Sequence, residues 1–225
     1  MSWVGRAYAF VFDLDGTLID SVEAHVRTWV EAFNLLGFRG VSEDSVRRLV
    51  GLRGRDIVRE VLGVEGVKRY REIRWVKDRL FWREVREGRV RTFPGVEDLL
   101  KVLKACGVMV AVASSTPNRI LIPLLEFLNI AEYVDVVTGG DEVSRGKPDP
   151  EIFRVTLRKL GVPAGRAVVV GDTAYDIVPA AKLGCFTVLV SGRAPEFKPD
   201  LHVTSIHELA GLVSGVLRPP RCKKH

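Results

Sequence analysis

Four short polar clusters hold the residues of this chain best suited to chemistry. They are Asp13-Leu14-Asp15-Gly16-Thr17, Ser114-Ser115-Thr116, Gly146-Lys147-Pro148-Asp149-Pro150 and Gly171-Asp172-Thr173-Ala174-Tyr175-Asp176. Together they offer two pairs of carboxylates, several hydroxyls and a lysine. Acids gathered in one crevice repel unless a cation offsets them. Mg²⁺ takes oxygen ligands and prefers one or two carboxylates plus a substrate phosphate. Lys147 and Ser114 would hold phosphoryl oxygens by charge and hydrogen bond. An Asp carboxylate can serve as a nucleophile, splitting hydrolysis into two easier steps through an aspartyl-phosphate. A second carboxyl two residues further on can protonate the leaving oxygen and later activate water. That division of labour requires Asp13 ionised and Asp15 protonated at the start, and metal contact on one and not the other would separate their pKa values in that direction.

The elements that must position these clusters follow from the apolar pattern. Tyr8–Phe12 is a short aromatic and branched run bounded by a turn-prone sequence, and similar runs occupy Val108–Ala113, Val134–Thr138, Ala167–Val170 and Phe186–Val190. Continuous rather than alternating apolar runs predict strands covered on both faces, as in a parallel sheet. Helical spacing of Val96, Leu99, Leu100 and Leu103 lies between Pro94 and Gly107. Thr116-Pro117 reads as a cap and first-turn proline for a helix reaching about Asn129, Asp149-Pro150-Glu151 opens another ending near Gly161, and Ser205 and Glu208 have capping-box spacing. The alternation predicts a doubly wound α/β fold, in which the carboxyl ends of the strands collect at one edge and form the ligand crevice. Each polar cluster sits at or just beyond such an end. Residues 20–91 break the rhythm with helix-like segments at Ser21–Leu36, Ser42–Leu49, Asp56–Leu62 and Val67–Arg86. The domain expectation is therefore an α/β core of residues 1–19 and 92–225 with an all-helical insertion at 20–91.

Composition narrows the class. The chain has 225 residues, 47% apolar and 28% charged, ordinary for a globular protein. No apolar run is long enough for a membrane-spanning helix, and the N-terminus is too short and too soon charged to be a signal peptide, so the expectation is a cytoplasmic enzyme with no membrane partner. Cys106, Cys185 and Cys222 lack metal-site spacing, and no disulfide framework is expected. Residues 20–91 carry fifteen arginines and two lysines against twelve acids. These interleave on helices, which reads as a solvated face rather than a nucleic-acid surface. The absence of glutamine, with only three asparagines, hints at a thermophilic source.

The run Phe12-Asp13-Leu14-Asp15-Gly16-Thr17-Leu18-Ile19-Asp20-Ser21, with the other three clusters in matching order and spacing, resembles the haloacid dehalogenase-like hydrolases, specifically their helical-cap subclass. The resemblance covers roughly Phe10 to Leu217. It implies Asp13 as nucleophile, Asp15 as general acid/base, and Ser114 and Lys147 as phosphoryl-binding residues. It also implies Mg²⁺ on Asp13, the Asp15 carbonyl and Asp172, with Asp176 in support, and a substrate-gating cap over residues 20–91. The substrate would be a small-molecule phosphate ester, with phosphoglycolate phosphatase-like members giving the nearest overall impression. Dehalogenating members lack the second Asp, so Asp15 argues against dehalogenation. β-Phosphoglucomutase-like members carry a cap histidine twelve positions after the nucleophile, where His25 stands, but sugar-phosphate phosphatases share it. A receiver-like signalling module would need neither the helical insertion nor Asp15.

Plainer readings stand beside these. Asp13 to Thr17 alone could be a turn, and Asp172 and Asp176 could merely complement a helix dipole. Lys147 could be a solvated loop residue. The stretch from Gly140 to Lys147 fails as a P-loop, because its glycine spacing is one residue too long and Pro148 replaces the needed hydroxyl. Ser115 competes with Ser114 for one role, and Ser115 or Thr116 could cap the next helix. Thr17, His25, Arg53 and Arg55 are candidate substrate contacts, though His25 could be a satisfied cap-helix residue and the arginines exposed ion pairs. Trp75 and Trp82, seven apart, read as a packed helix face.

Overall fold

The computed structural model describes residues 3–217. Its elements run β1 (Ala9–Phe12), β2 (Ile19–Asp20), α1 (Val22–Leu35), α2 (Glu43–Arg47), α3 (Gly54–Lys68), α4 (Tyr70–Arg86), β3 (Arg91–Thr92), α5 (Val96–Ala105), β4 (Met109–Ser114), α6 (Asn118–Phe127), β5 (Val136–Gly139), α7 (Glu151–Leu160), β6 (Ala167–Gly171), α8 (Ala174–Lys182), β7 (Phe186–Val190), β8 (Leu201–Val203) and α9 (Ile206–Val216). Six strands form one sheet in the order β5-β4-β1-β6-β7-β8, and every pairing is parallel. All five strands expected from the sequence are present. The short β8 was not foreseen, because three residues give too little pattern to read.

The unbroken apolar runs separate by parity onto the two faces of the sheet. Phe10, Phe12, Val110, Val112, Val168 and Val170 pack toward α5, α6 and α9. Ala9, Val11, Ala111, Ala113 and Val169 pack toward α7 and α8. A strand buried on both sides has no polar face to show, which is why its sequence does not alternate.

Helices α1 to α4 lie between β2 and β3 in sequence and share an apolar cluster of their own around Trp29, Phe33, Ile57, Val58 and Ile73. The two chain crossings are tied together: β2 pairs antiparallel with β3 through Ile19–Thr92 and Asp20–Arg91. This two-residue ribbon was also invisible to the apolar pattern. The expected break between helices near residue 62 falls at Gly63, whose φ of 64° and ψ of −153° interrupt α3, and α4 begins at Tyr70 rather than Val67.

Three local expectations are corrected. Pro117, extended at φ −70° and ψ 150°, is itself the N-cap of α6, and the Thr116 side chain is engaged elsewhere. Trp75 is 59% exposed, because the buried face of α4 runs through Ile73, Arg74, Lys77, Leu80, Phe81, Glu84 and Val85. Trp82 does pack, edge-on to Phe127. Cys106 is disulfide-bonded, where no disulfide was expected, whereas Cys185 is a free buried thiol. Ser205 caps α9 as expected, accepting from the Glu208 amide at 3.2 Å. The basic residues 218–225, read as a tail, and Cys222 with them, lie outside the described residues. No helix among the described residues is long and apolar enough to cross a membrane.

Candidate active site

The carboxyl ends of β1, β4 and β6 are adjacent because the strand order runs β4-β1-β6. Asp13 follows β1 directly, Ser114 ends β4 and Asp172 follows β6, so neighbouring strands deliver all three to one edge. Lys147 arrives on the loop between β5 and α7. Its ammonium is fully buried and donates to Asp13 Oδ1 at 2.5 Å, Asp176 Oδ1 at 2.7 Å and the Ala113 carbonyl at 2.9 Å. Burial alone would pull Lys147 down, but Asp13 and Asp176 outweigh it and hold the ammonium above its ordinary range.

Asp13, Asp172 and Asp176 each offer a carboxylate oxygen, all within 4.8 Å of one another. Asp176 is already satisfied: Lys147 holds Oδ1, and the Thr173 hydroxyl donates to Oδ2 at 3.0 Å. Among the described residues, the one side chain that donates to Asp172 is Thr17, whose Oγ1 makes a long 3.4 Å contact, which turns Thr17, a candidate substrate contact, toward a candidate metal ligand. Gly16 is required here. Its φ is +88°, and a Cβ would stand 2.3 Å from Asp172 Oδ2. Burial first, then Asp176, raises the Asp172 carboxyl to about 7. Burial, with Asp176, Asp172 and Asp15 around it, also lifts Asp13 well above the carboxylate range despite Lys147. An all-oxygen set whose ionisation is opposed by its own members fits a hard divalent cation such as Mg²⁺, held by Asp13 and Asp172 with Asp176 behind them.

Asp15 has a different environment. Its carboxylate accepts from Ser21 Oγ at 2.7 Å, His25 Nε2 at 2.8 Å, Thr116 Oγ1 at 3.1 Å and, weakly, Ser114 Oγ at 3.4 Å. Burial would raise it, but His25, Ser21 and Lys77 together hold it well below the usual carboxylate range. With the protein's own charges alone, Asp15 is thus the readily ionised acid and Asp13 the reluctant one. Without a metal ion the order is the reverse of the one that metal contact at Asp13 would set, which is the order expected from the sequence. The reason is the helical insertion, which supplies donors and cations to Asp15, whereas Asp13 faces two further acids.

Those cations come from α4. Lys77 donates to His25 Nδ1 at 2.7 Å, which makes His25 Nε2 the protonated nitrogen facing Asp15. The Lys77 Nζ lies over Phe81 at 4.3 Å, and His25 stacks on the same ring at 4.3 Å. Burial, then Arg74, lowers Lys77 to about 7, and burial with Lys77 lowers His25. Lys77 and Arg74 were not singled out in the sequence. The signal was there at Lys77, a lysine on the apolar stripe of Ile73, Leu80 and Phe81, but basic residues on a charged helix read first as solvated.

The crevice between sheet edge and helices is lined by Asp13, Asp15, His25, Lys77, Arg74 and Thr116, among others, and has a free volume of about 30 Å³, room for a water or two. The insertion is closed over it. Of the remaining candidates, Ser115 and Arg53 hold that closure rather than point inward. Ser115 also borders the crevice, but its hydroxyl donates to the Gly51 carbonyl at 2.6 Å. Arg53 donates to the carbonyls of Val143 and Ser144 at 3.2 and 2.8 Å and to Asp56 at 2.9 Å. Arg55 is exposed and lies outside the crevice.

A parallel α/β sheet that gathers an acid cluster and a buried lysine at its carboxyl edge, with a helical insertion over them, has the architecture of an α/β enzyme with its ligand crevice at the strand ends. The family model "Haloacid dehalogenase-like hydrolase" matches residues 10–190, and the chain belongs to that family. It is 32% identical over 210 residues to a phosphoglycolate phosphatase of Pseudomonas fluorescens, covering 88% of this chain and 77% of the relative. It is also 32% identical over 176 residues to a phosphorylated carbohydrates phosphatase of Thermotoga maritima, covering 78% and 81%. Among solved structures, CbbY from Rhodobacter sphaeroides in complex with phosphate superposes with a TM-score of 0.80 at 30% identity, over 90% of this chain and 96% of that one. A β-phosphoglucomutase of Clostridium difficile shares the fold, with a TM-score of 0.81 at 22% identity over 90% and 93%.

Proposed function

We propose that the protein hydrolyses a small phosphate monoester, of the phosphoglycolate type, through an aspartyl-phosphate on Asp13, with residues 20–91 acting as a cap that opens to admit substrate. The observation that carries this reading is the buried Lys147, bridging Asp13 and Asp176 at the sheet edge with Asp172 beside them. Bound Mg²⁺ supplies the positive charge that lets Asp13 ionise and that offsets charge on the phosphoryl group. Asp13 then attacks phosphorus, the ester P–O bond breaks, and the departing oxygen takes a proton from Asp15. In the second half, Asp15 removes a proton from water, water oxygen bonds to phosphorus, and orthophosphate leaves with Asp13 restored. Asp15 in its ionised, four-donor state is in the form that second half requires. For the first half it must gain a proton and turn from His25. Lys147 and Ser114 hold phosphoryl oxygens in this scheme.

Purified protein with Mg²⁺ should release phosphate from an aryl phosphate. Asp13→Asn, nearly isosteric, should lose that turnover by at least roughly 10³-fold while the fold persists. Wild-type inactivity across a panel of phosphomonoesters would refute the reading. Turnover that depends on an added sugar bisphosphate, with little net phosphate release, would instead favour a mutase, which the His25–Asp15 contact is equally able to serve.

A further inference from the structure

Arg74 is a buried guanidinium whose hydrogen-bonding capacity is largely unspent. It is only 6% exposed, and neither Nε nor Nη2 makes a hydrogen bond. Its one ion-pair partner, Asp78, approaches Nε at 2.8 Å without hydrogen-bond alignment, and Asp78 is shared with Arg119 of α6. Leaving a buried charged donor unsatisfied is costly unless something else engages it. The group lines the crevice in company with Lys77, Trp29 and Gly54, and its guanidinium carbon lies 5.8 Å from the Trp29 ring centroid.

The surroundings are arranged for an anion. Gly54 is the first residue of α3, a helix start with no side-chain cap, and it also borders the crevice. Helix N-termini present unpaired N–H groups and partial positive charge. A Cβ at Gly54 would stand 2.7 Å from Arg74 Nη1 and 3.0 Å from Trp29, so the absence of a side chain is what lets the guanidinium lie against that helix end. Two cations and a helix start thus share the roof of the crevice, opposite the Asp13 edge, with Asp78 beside Arg74 and, for Lys77, Asp15 beyond His25 as counter-charges.

The geometry points to Arg74 as a specificity-determining residue that, with the N-terminus of α3 and Lys77, engages a second anionic group on the substrate, at the end away from the scissile phosphoryl. This rests on the phosphomonoester reading of the Asp13 site and adds to it. The planar fork of an arginine suits a carboxylate or a second phosphate alike. The narrow crevice favours the smaller group, so a short phosphorylated hydroxy acid is the preferred chemistry.

The test compares three esters in the magnesium-loaded protein: 2-phosphoglycolate, its neutral counterpart 2-hydroxyethyl phosphate, and 1,3-propanediol bisphosphate. A buried site built to bond a group rejects the analogue that lacks it. The expected ratio of kcat/KM for phosphoglycolate over the neutral ester is therefore roughly 10²-fold or more, carried mainly by KM. Arg74→Met, which keeps the apolar stem over Trp29, should collapse that ratio to about threefold or less, and Arg74→Lys should restore part of it. Gly54→Ala, which crowds the guanidinium from the other side, should lower the ratio too and keeps the question open to test if Arg74→Met does not fold. A bisphosphate preference over phosphoglycolate would assign the subsite to phosphate. A wild-type ratio near one, or a ratio that survives Arg74→Met, overturns the proposal while the hydrolase reading stands. Failure of the wild type on all three esters and on aryl phosphate refutes the hydrolase reading, and the subsite with it.

Discussion

The floor and the roof of the crevice treat buried charge in opposite ways. On the floor, Asp13, Asp176 and the Ala113 carbonyl use every hydrogen of the Lys147 ammonium, with Asp172 close to both acids. On the roof, Arg74 lies near enough to Lys77 to depress its ionisation, with Asp78 beside both. The floor is short of positive charge and the roof short of negative charge. A divalent cation would complete the first and a substrate anion the second. The contrast teaches that, outside the link from Asp15 through His25 to Lys77, each half lacks a charge that the other does not supply.

The largest expected effect comes from deepening the deficit on the floor. Lys147→Met leaves Asp13 and Asp176 buried without a counter-charge, which should destabilise the chelated protein by about 3–5 kcal/mol. Added Mg²⁺ should recover a substantial part of that loss in a thermal melt. Equal losses with and without metal would show that the acids and the ion do not share a site.

The pH dependence of stability should separate the halves next. Asp172 is raised from its ordinary value near 3.8 to about 7, so between those values the native state binds more protons than the unfolded chain, and stability falls as pH rises. Asp13, also raised, adds to that slope, and His25, held below its usual value, opposes part of it. Lys77 is lowered from 10.5 to about 7, so from about 7 to 10 the unfolded chain binds more protons and stability climbs. Each limb is on the order of a few kcal/mol. Denaturant titrations of chelated protein should show a minimum near neutrality, with Mg²⁺ flattening the acid limb and Lys77→Met the alkaline one. If Lys77→Met leaves the alkaline limb intact, Lys77 is not the buried cation described here.

The smallest effect belongs to the clasp between the halves. Arg119 is 56% exposed on its side chain, so Arg119→Met should cost less than about 1 kcal/mol. Because that contact ties α4 of the insertion to α6 of the core, KM should still rise a few-fold as closure weakens. An unchanged KM would make the contact ornamental to substrate capture.

The same division explains what could be read from the chain. The floor was legible because parallel strands deliver the residues at their ends to one edge, and Asp13, Asp15, Ser114, Lys147 and Asp172 all stand at or just beyond such ends. The roof was not. Arg74 and Lys77 sit among fifteen arginines of a charged helical region, and only the packing of α4 on α1 distinguishes a buried base from a solvated one. Helix boundaries set by apolar period came within a few residues. Elements of two or three residues, β2, β3 and β8, carry no period at all. The charge that Lys77 brings to Asp15 through His25 was hidden for the same reason, since α4 lies far along the chain from Asp15.

The central claim is that Asp13 takes up phosphorus. Rapid acid quench of wild-type protein turning over an aryl phosphate with Mg²⁺, alongside Asp15→Asn under the same conditions, should yield a hydroxylamine-labile phosphoryl adduct that peptide mass spectrometry places on Asp13, longer-lived in the variant. Phosphate release by the wild type with no such adduct, or with the adduct on another residue, would contradict the account.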